Sequence, residues 1–222
     1  MDAEYLYTIF HKRRRTVVKM KVSIDENTAY ISGTLASEPE FDHQLYGEEF
    51  YRASVLVPRL SGTIDCVPLT IPGRLMPALP MAGGRIAVSG QLRSYNRHGE
   101  QGNRLCVTLF ARSIEPMCEE AAPENSIILT GYLCKPAVFR TTPFMREIGD
   151  ILLACNRSFN KSDYLPCIAW GRNARMVSEM PVGSRLRIEG RIQSRRYQKM
   201  LPDGMIQDRT AHEVSCSSIE II

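Results

Sequence analysis

The sequence is written twice. Sliding the segment that begins at Asn125 onto the one that begins at Asn27 sets Gly33 on Gly131, Phe41 on Phe139, Arg59 on Arg157, Asp65 on Asp163 and Pro68 on Pro166. The pair Gly73-Arg74 falls on Gly171-Arg172. After two residues of slippage, Gly83 falls on Gly183, Arg85 on Arg185 and Gly90 on Gly190. Chance does not hold one register through so many Gly, Pro and Arg positions. A period of about a hundred residues is too long for a solenoid unit and has the length of a small domain. Duplication puts two similar surfaces on one chain, which suits a ligand that can be gripped more than once.

The 222 residues are enough for two such units, each with its own core. No apolar run approaches the ~20 residues that span a bilayer. The N-terminal stretch places its apolar residues before Lys12-Arg-Arg-Arg15, the wrong order for a secretory signal, so a soluble, cytoplasmic protein is expected. Seven cysteines form no CxxC pair and read as buried reduced thiols, and four scattered histidines give no zinc spacing. Charge is uneven. Residues 125–222 hold fourteen Lys and Arg against nine Asp and Glu, whereas residues 27–116 hold eight of each. A polyanion should prefer the second repeat.

Period-2 alternation predicts strands at 29–35, 51–57, 65–71, 85–92 and 105–114, and again at 127–133, 148–155, 165–170, 185–192 and 211–219. Residues 173–179 form a short helical stretch after the third strand. The matching 75–80 carries two prolines and is a poorer helix. Five strands with one short helix after the third is the order of an OB-fold barrel. The expected architecture is therefore all-β, with two tandem OB-fold barrels. Residues 1–24 form an N-terminal extension, 25–117 the first domain, 118–124 a linker and 125–222 the second domain. The linker belongs to a Pro- and Glu-rich stretch that starts at Glu115. Mid-strand Gly33, Gly90, Gly131 and Gly190 are expected at bulges and points of sharp coiling.

On the fourth strand of the second repeat, Arg185, Arg187 and Arg191 alternate with Leu186, Ile188 and Ile192, so the cations share one face. Arg195, Arg196, Tyr197 and Lys199 extend it. Such a row is a solubilising surface or a seat for a polyanion. Phe139, Phe144, Phe159, Tyr164, Trp170 and Tyr197 are interleaved with Arg140, Arg157, Lys161 and Arg172. Stacking platforms beside cations are what an unstacked nucleic-acid strand requires. Each ring also fits a place in a core, Trp170 included. In the first repeat the candidates thin to Arg59, Arg74, Arg93, Tyr95 and Arg97, with His98 beside them. Pro72 stands at the Trp170 position, and Ala87 and Gln91 replace Arg187 and Arg191. The arm Lys12–Arg15 is a further candidate for phosphate contact.

The runs Leu153-Ala-Cys-Asn-Arg157, Asp163-Tyr-Leu-Pro-Cys-Ile-Ala-Trp-Gly-Arg-Asn-Ala174 and Val182-Gly-Ser-Arg-Leu-Arg-Ile-Glu-Gly-Arg191 resemble bacterial single-stranded DNA-binding protein. They match its AxNR strand end, its WGxxA step and its glycine-centred fourth strand. Gly131-Tyr-Leu and Phe139-Arg-Thr-Thr142 fit its first strand and turn. The resemblance implies that Trp170 stacks on a base, and that Arg157, Phe159 and Tyr197 line the same groove. It also implies four such domains per assembly, here as a homodimer of two-domain chains. The family's flexible linker and acidic tail do not follow Ser218–Ile222, so recruitment of replication or repair proteins by such a tail is not expected.

No phosphate-binding loop, deaminase signature or nucleophile-base arrangement competes, so neither catalysis nor a cofactor or metal is expected. The expected activity is binding of single-stranded DNA with little sequence preference. An accessory OB scaffold of primosomal type and an RNA-binding OB protein are the alternatives.

Overall fold

Apolar and polar residues alternate along most of the chain, and the backbone follows that period in a computed structural model that describes residues 25–97, 104–200 and 204–222. The first repeat forms β1 (Asn27–Leu35), β2 (Glu40–Leu45), β3 (Glu48–Pro58), β4 (Ile64–Pro72), a 3-10 helix Gly73–Ala78, β5 (Arg85–Arg97) and β6 (Arg104–Pro116). The second forms β7 (Asn125–Leu133), β8 (Val138–Thr141), β9 (Glu147–Arg157), β10 (Lys161–Trp170), α1 (Arg172–Ser178), β11 (Arg185–Met200) and β12 (Ile206–Ile221). Each repeat has one strand more than the alternation predicts. β2 is exposed throughout and so is β8, so neither carries the inward apolar signal that marks a strand in a sequence. Pro77 lies inside the first repeat's helical turn, and that turn is 3-10 where its counterpart is α-helical.

Within the first repeat, β1 pairs with β3 and β5, β5 with β6, β6 in parallel with β4, and β4 with β3. The second repeat copies this with β7, β9, β11, β12 and β10. Inside these pairings lie Ile31, Leu35, Val55, Leu69, Ile86, Leu92 and Leu109 in one repeat, and Leu129, Leu133, Leu153, Leu165, Leu186 and Ile188 in the other. Each such side chain contributes roughly 1.5–3 kcal/mol by leaving water. Bulges occur at Ser89/Gly90 and Glu189/Gly190. A Cβ at Gly90 would run into the Phe110 carbonyl, and one at Gly190 into that of Ser215, so only glycine permits these crossings. Past the bulge the β1 backbone no longer reaches Leu92. The Asn27 side chain takes over, donating to the Leu92 carbonyl at 2.8 Å and accepting its N–H at 2.9 Å. Asn125 does the same for Ile192, at 2.8 and 2.9 Å.

The repeats join through β1 and β7, which pair antiparallel about Ala29↔Ile127. The junction is pseudo-symmetric. Ser32 donates its N–H to the Glu124 carbonyl at 2.8 Å, and Thr130, its counterpart, donates to Glu26 at 2.7 Å. All twelve strands thereby fall into one order, β2-β3-β4-β6-β5-β1-β7-β11-β12-β10-β9-β8. Glu115 and Pro116 belong to β6, so the connection starts later than their composition suggests. It is pinned to the first repeat by Arg85, which donates to the Glu119 carbonyl at 2.7 Å, and by Ser32, whose Oγ accepts the Glu124 N–H at 2.7 Å. Cys155, Cys167 and Cys216 are buried as expected, and burial pushes the Cys155 thiol up to about 12. Cys66 and Cys118 are exposed, contrary to the expectation of buried thiols. Cys66 falls on the outward parity of β4, and Cys118 falls in the connection. Among the described residues no helix is long and apolar enough to cross a membrane.

Candidate nucleic-acid interface

Strand β10 turns Asp163, Leu165, Cys167 and Ala169 inward. The other parity carries Tyr164 and Trp170, which are 46% and 37% exposed, and so decides that neither ring is core. Trp170 donates its indole N–H to Ser215 Oγ on β12 at 3.0 Å, which anchors one edge of the ring at the strand end. Directly across the sheet lie Ile148 on β9 and then Arg140 on β8. Side chains opposite one another in a sheet share a face, so Arg140 lies on the same face as Trp170, two strands away. At the other end of β10, about 30 Å away by strand rise, Phe159 is almost fully exposed on a turn where it and Asn160 adopt positive φ of 63° and 52°. Lys161 and Arg172 bracket β10, and neither makes an ion pair among the described residues. Phe139 is exposed on β8, and Phe144 on the β8–β9 turn.

The row of arginines on β11 faces outward as its alternation requires, but the chain supplies its own anions. Arg185 pairs with Asp25 at 2.5 Å, and Arg187 with Glu26 at 3.0 Å and Glu189 at 2.5 Å. Arg191 reaches Asp65 of the first repeat at 3.4 Å. Burial lowers the Arg191 pKa, with neighbouring Arg59 acting in the same direction and Asp65 against it. Arg157 lies 3.7 Å from buried Asp163, and Arg195 lies 3.7 Å from Glu213 and over the Tyr197 ring at 5.5 Å. Arg196 is exposed, with no ion pair among the described residues. Arg140 is held by Asp150 at 2.7 Å, and that hydrogen bond raises its pKa.

In the first repeat, Arg59 pairs with Asp65 at 2.5 Å and Arg93 with Asp163 at 2.9 Å, so both work inside the molecule. Arg74 pairs with Glu48. Tyr95 is 54% exposed and Arg97 ends β5. His98 and the arm Lys12–Arg15 lie outside the described residues. The positions equivalent to Phe159, Lys161, Tyr164, Trp170 and Arg140 are Ser61, Thr63, Cys66, Pro72 and Asp42. At these five positions the first repeat thus has neither ring nor cation. Sequence reasoning missed Arg146, an exposed cation on the β8–β9 turn. The repeat register marks it, because it stands where the first repeat has Glu48.

Residues 124–222 match the model of the Single-strand binding protein family. The chain is 31% identical over 105 residues to single-stranded DNA-binding protein 1 of Staphylococcus aureus, covering 44% of this chain and 60% of that protein. It is 32% identical over 81 residues to single-stranded DNA-binding protein A of Bacillus subtilis, covering 33% of this chain and 47% of that protein. The chain therefore spans about half the length of these curated relatives. Its fold is similar to the crystal structure of the wild-type single-stranded DNA binding protein from Thermus aquaticus, with a TM-score of 0.67 at 23% identity over 90% of this chain and 94% of that one. A deletion mutant of that protein gives a TM-score of 0.69 at 22% identity over 89% of this chain and 95% of that one.

Proposed function

We propose that this protein binds single-stranded DNA with little sequence preference and protects it during replication, repair or recombination, a reading supported by the match of residues 124–222 to the Single-strand binding protein family. One observation carries the proposal. Trp170 and Tyr164 are exposed along β10, between Lys161 and Arg172, which make no ion pair among the described residues, and on the sheet face that carries Arg140 two strands away. Every base has a π-face and every nucleotide a phosphate, so this pattern grips a strand without reading it. Phe159, Arg195, Arg196 and Tyr197 extend the surface. Arg187, Arg191 and Arg157 border it from within their ion pairs.

In this reading each repeat is an OB-fold barrel, with 25–117 as a divergent first domain, 118–124 as linker and 125–222 as the domain that holds DNA. A homodimer then offers four such domains. The protein acts without catalysis in the cytoplasm, at the nucleoid, where replication and repair proteins are its candidate partners.

The test is titration of labelled oligo-dT and of duplex DNA at several salt concentrations, with Trp170 fluorescence as a second readout. Single strands should bind far more tightly than duplex and quench the indole. The log–log salt slope should be negative by roughly 0.7 per phosphate neutralised. Equal affinity for both forms would reduce the protein to a general polyanion binder.

A further inference from the structure

We propose that Arg146 and Arg172 form a two-armed clamp for one backbone phosphate beside Trp170. The clamp rests on the single-stranded DNA reading above and names a contact within it. The backbone brings the two arginines together. Gly171 donates its N–H to the Glu147 carbonyl at 2.9 Å, and Arg146 and Arg172 are the next residues outward on each side of that bond. The first repeat shows what these positions do when their charges are opposite. Glu48 stands at the Arg146 position and Arg74 at the Arg172 position, and their side chains form an ion pair across the gap. Side chains at these two sites therefore reach one another.

In the second repeat the acid of that pair is an arginine, so the two positions that pair with each other in the first repeat both carry cations. Among the described residues no carboxylate takes the acid's place. Glu147 is held by Arg175 at 2.7 Å and Asp150 by Arg140 at 2.7 Å. Among the described residues, neither Arg146 nor Arg172 makes an ion pair, and both are exposed. Two guanidinium groups offer forked donors to one tetrahedral anion, the geometry in which arginine outperforms lysine. Trp170 stands two residues before Arg172, so the anion that fits is the phosphate of the nucleotide whose base lies on the indole.

The test uses the full chain and labelled oligo-dT. Arg146→Glu recreates the ion pair of the first repeat. It should keep the melting temperature while weakening binding about tenfold or more and lowering the salt slope by roughly 0.7, one phosphate's worth. Arg172→Ala should give the same loss of slope, and combining Arg172→Ala with Arg146→Gln should lose no more than one phosphate. Arg146→Gln alone serves if Arg146→Glu does not fold. Unchanged affinity and slope in these variants, while Trp170→Ala still weakens binding, would overturn the clamp and leave the DNA reading intact. Slope losses that add in the double variant would mean two separate phosphates and would also overturn it. Failure of the unaltered protein to bind oligo-dT would sink the DNA reading and the clamp with it.

Discussion

Asp65 of the first repeat accepts the backbone N–H of Ser194 of the second at 2.7 Å. The relationship recurs in mirror order, since Asp163, the counterpart of Asp65, accepts the N–H of Ser94 at 2.9 Å. The serine hydroxyls answer in kind: Ser194 Oγ accepts the Cys66 N–H at 3.1 Å, and Ser94 Oγ accepts the Tyr164 N–H at 2.7 Å. Arginine and glutamine exchange places around the same axis. Gln91 and Arg93 of the first repeat correspond to Arg191 and Gln193 of the second, and each arginine lies near the other repeat's carboxylate. Two fully or nearly fully buried carboxylates thus lock the halves together.

Asp65→Ala should destabilise the fold by about 3–5 kcal/mol, because it strands the partly buried cations Arg59 and Arg191 without their anion. Denaturant unfolding measures the loss. A change under about 0.5 kcal/mol, the range of ordinary surface substitutions, would show that the carboxylate is not holding the halves together.

Acid should act in two steps. His212 donates from Nε2 to the Cys66 carbonyl at 3.0 Å, and burial pushes its pKa down, opposed by that hydrogen bond, with Arg104 lowering it further and Asp65 raising it. The fold therefore favours neutral His212, and its contribution is lost as pH falls below about 6.5 toward the folded value. Burial works to raise the Asp65 pKa, but the Arg59 and Ser194 hydrogen bonds and the nearby arginine charges prevail and leave it depressed. That contribution is present above about pH 4 and lost as pH falls further through the folded value. Melting temperature against pH should show both steps, and His212→Gln should flatten only the upper one.

Trp170→Ala should cost on the order of 1–3 kcal/mol of oligo-dT binding, the usual worth of one stacked base. Trp170→Phe keeps a ring on this exposed site while losing the hydrogen bond to Ser215 and part of the ring area, so its stability should change by about 1 kcal/mol. A large loss of melting temperature together with unchanged binding would put the ring to structural use alone, and stacking would pass to Tyr164 and Phe159.

Residues 125–222 expressed alone should self-associate. β7 would pair with β7 of a second copy in place of β1, and Asp163 would find the other copy's Ser194 where it now finds Ser94. Light scattering gives the answer directly. A monomer that stays folded at micromolar concentration would show that the pseudo-symmetric junction does not outlive the covalent link.

Much of this was legible in the chain. The repeat register announced both Asn clamps, both bulge glycines and the two carboxylates as pairs, because the same local geometry must be built twice. Alternation placed Arg185, Arg187 and Arg191 on one face of β11 correctly, yet their repulsion did not require an outside polyanion. Their partners are Asp25, Glu26, Glu189 and Asp65.

The sequence by itself determined the ten strands that turn an apolar face inward, and the duplication, since alternation is read from residues close along the chain; the exposed β2 and β8 escaped it. Tertiary structure alone decided which cations stay free. Arg191 and Asp65 are 126 residues apart and meet only when β11 packs against β4. Arg146 and Arg172 become neighbours only when the start of β9 hydrogen-bonds the residue before α1. A strand's period fixes the side a charge points to, whereas Coulomb interaction depends on distance through space, which is set by the folded chain.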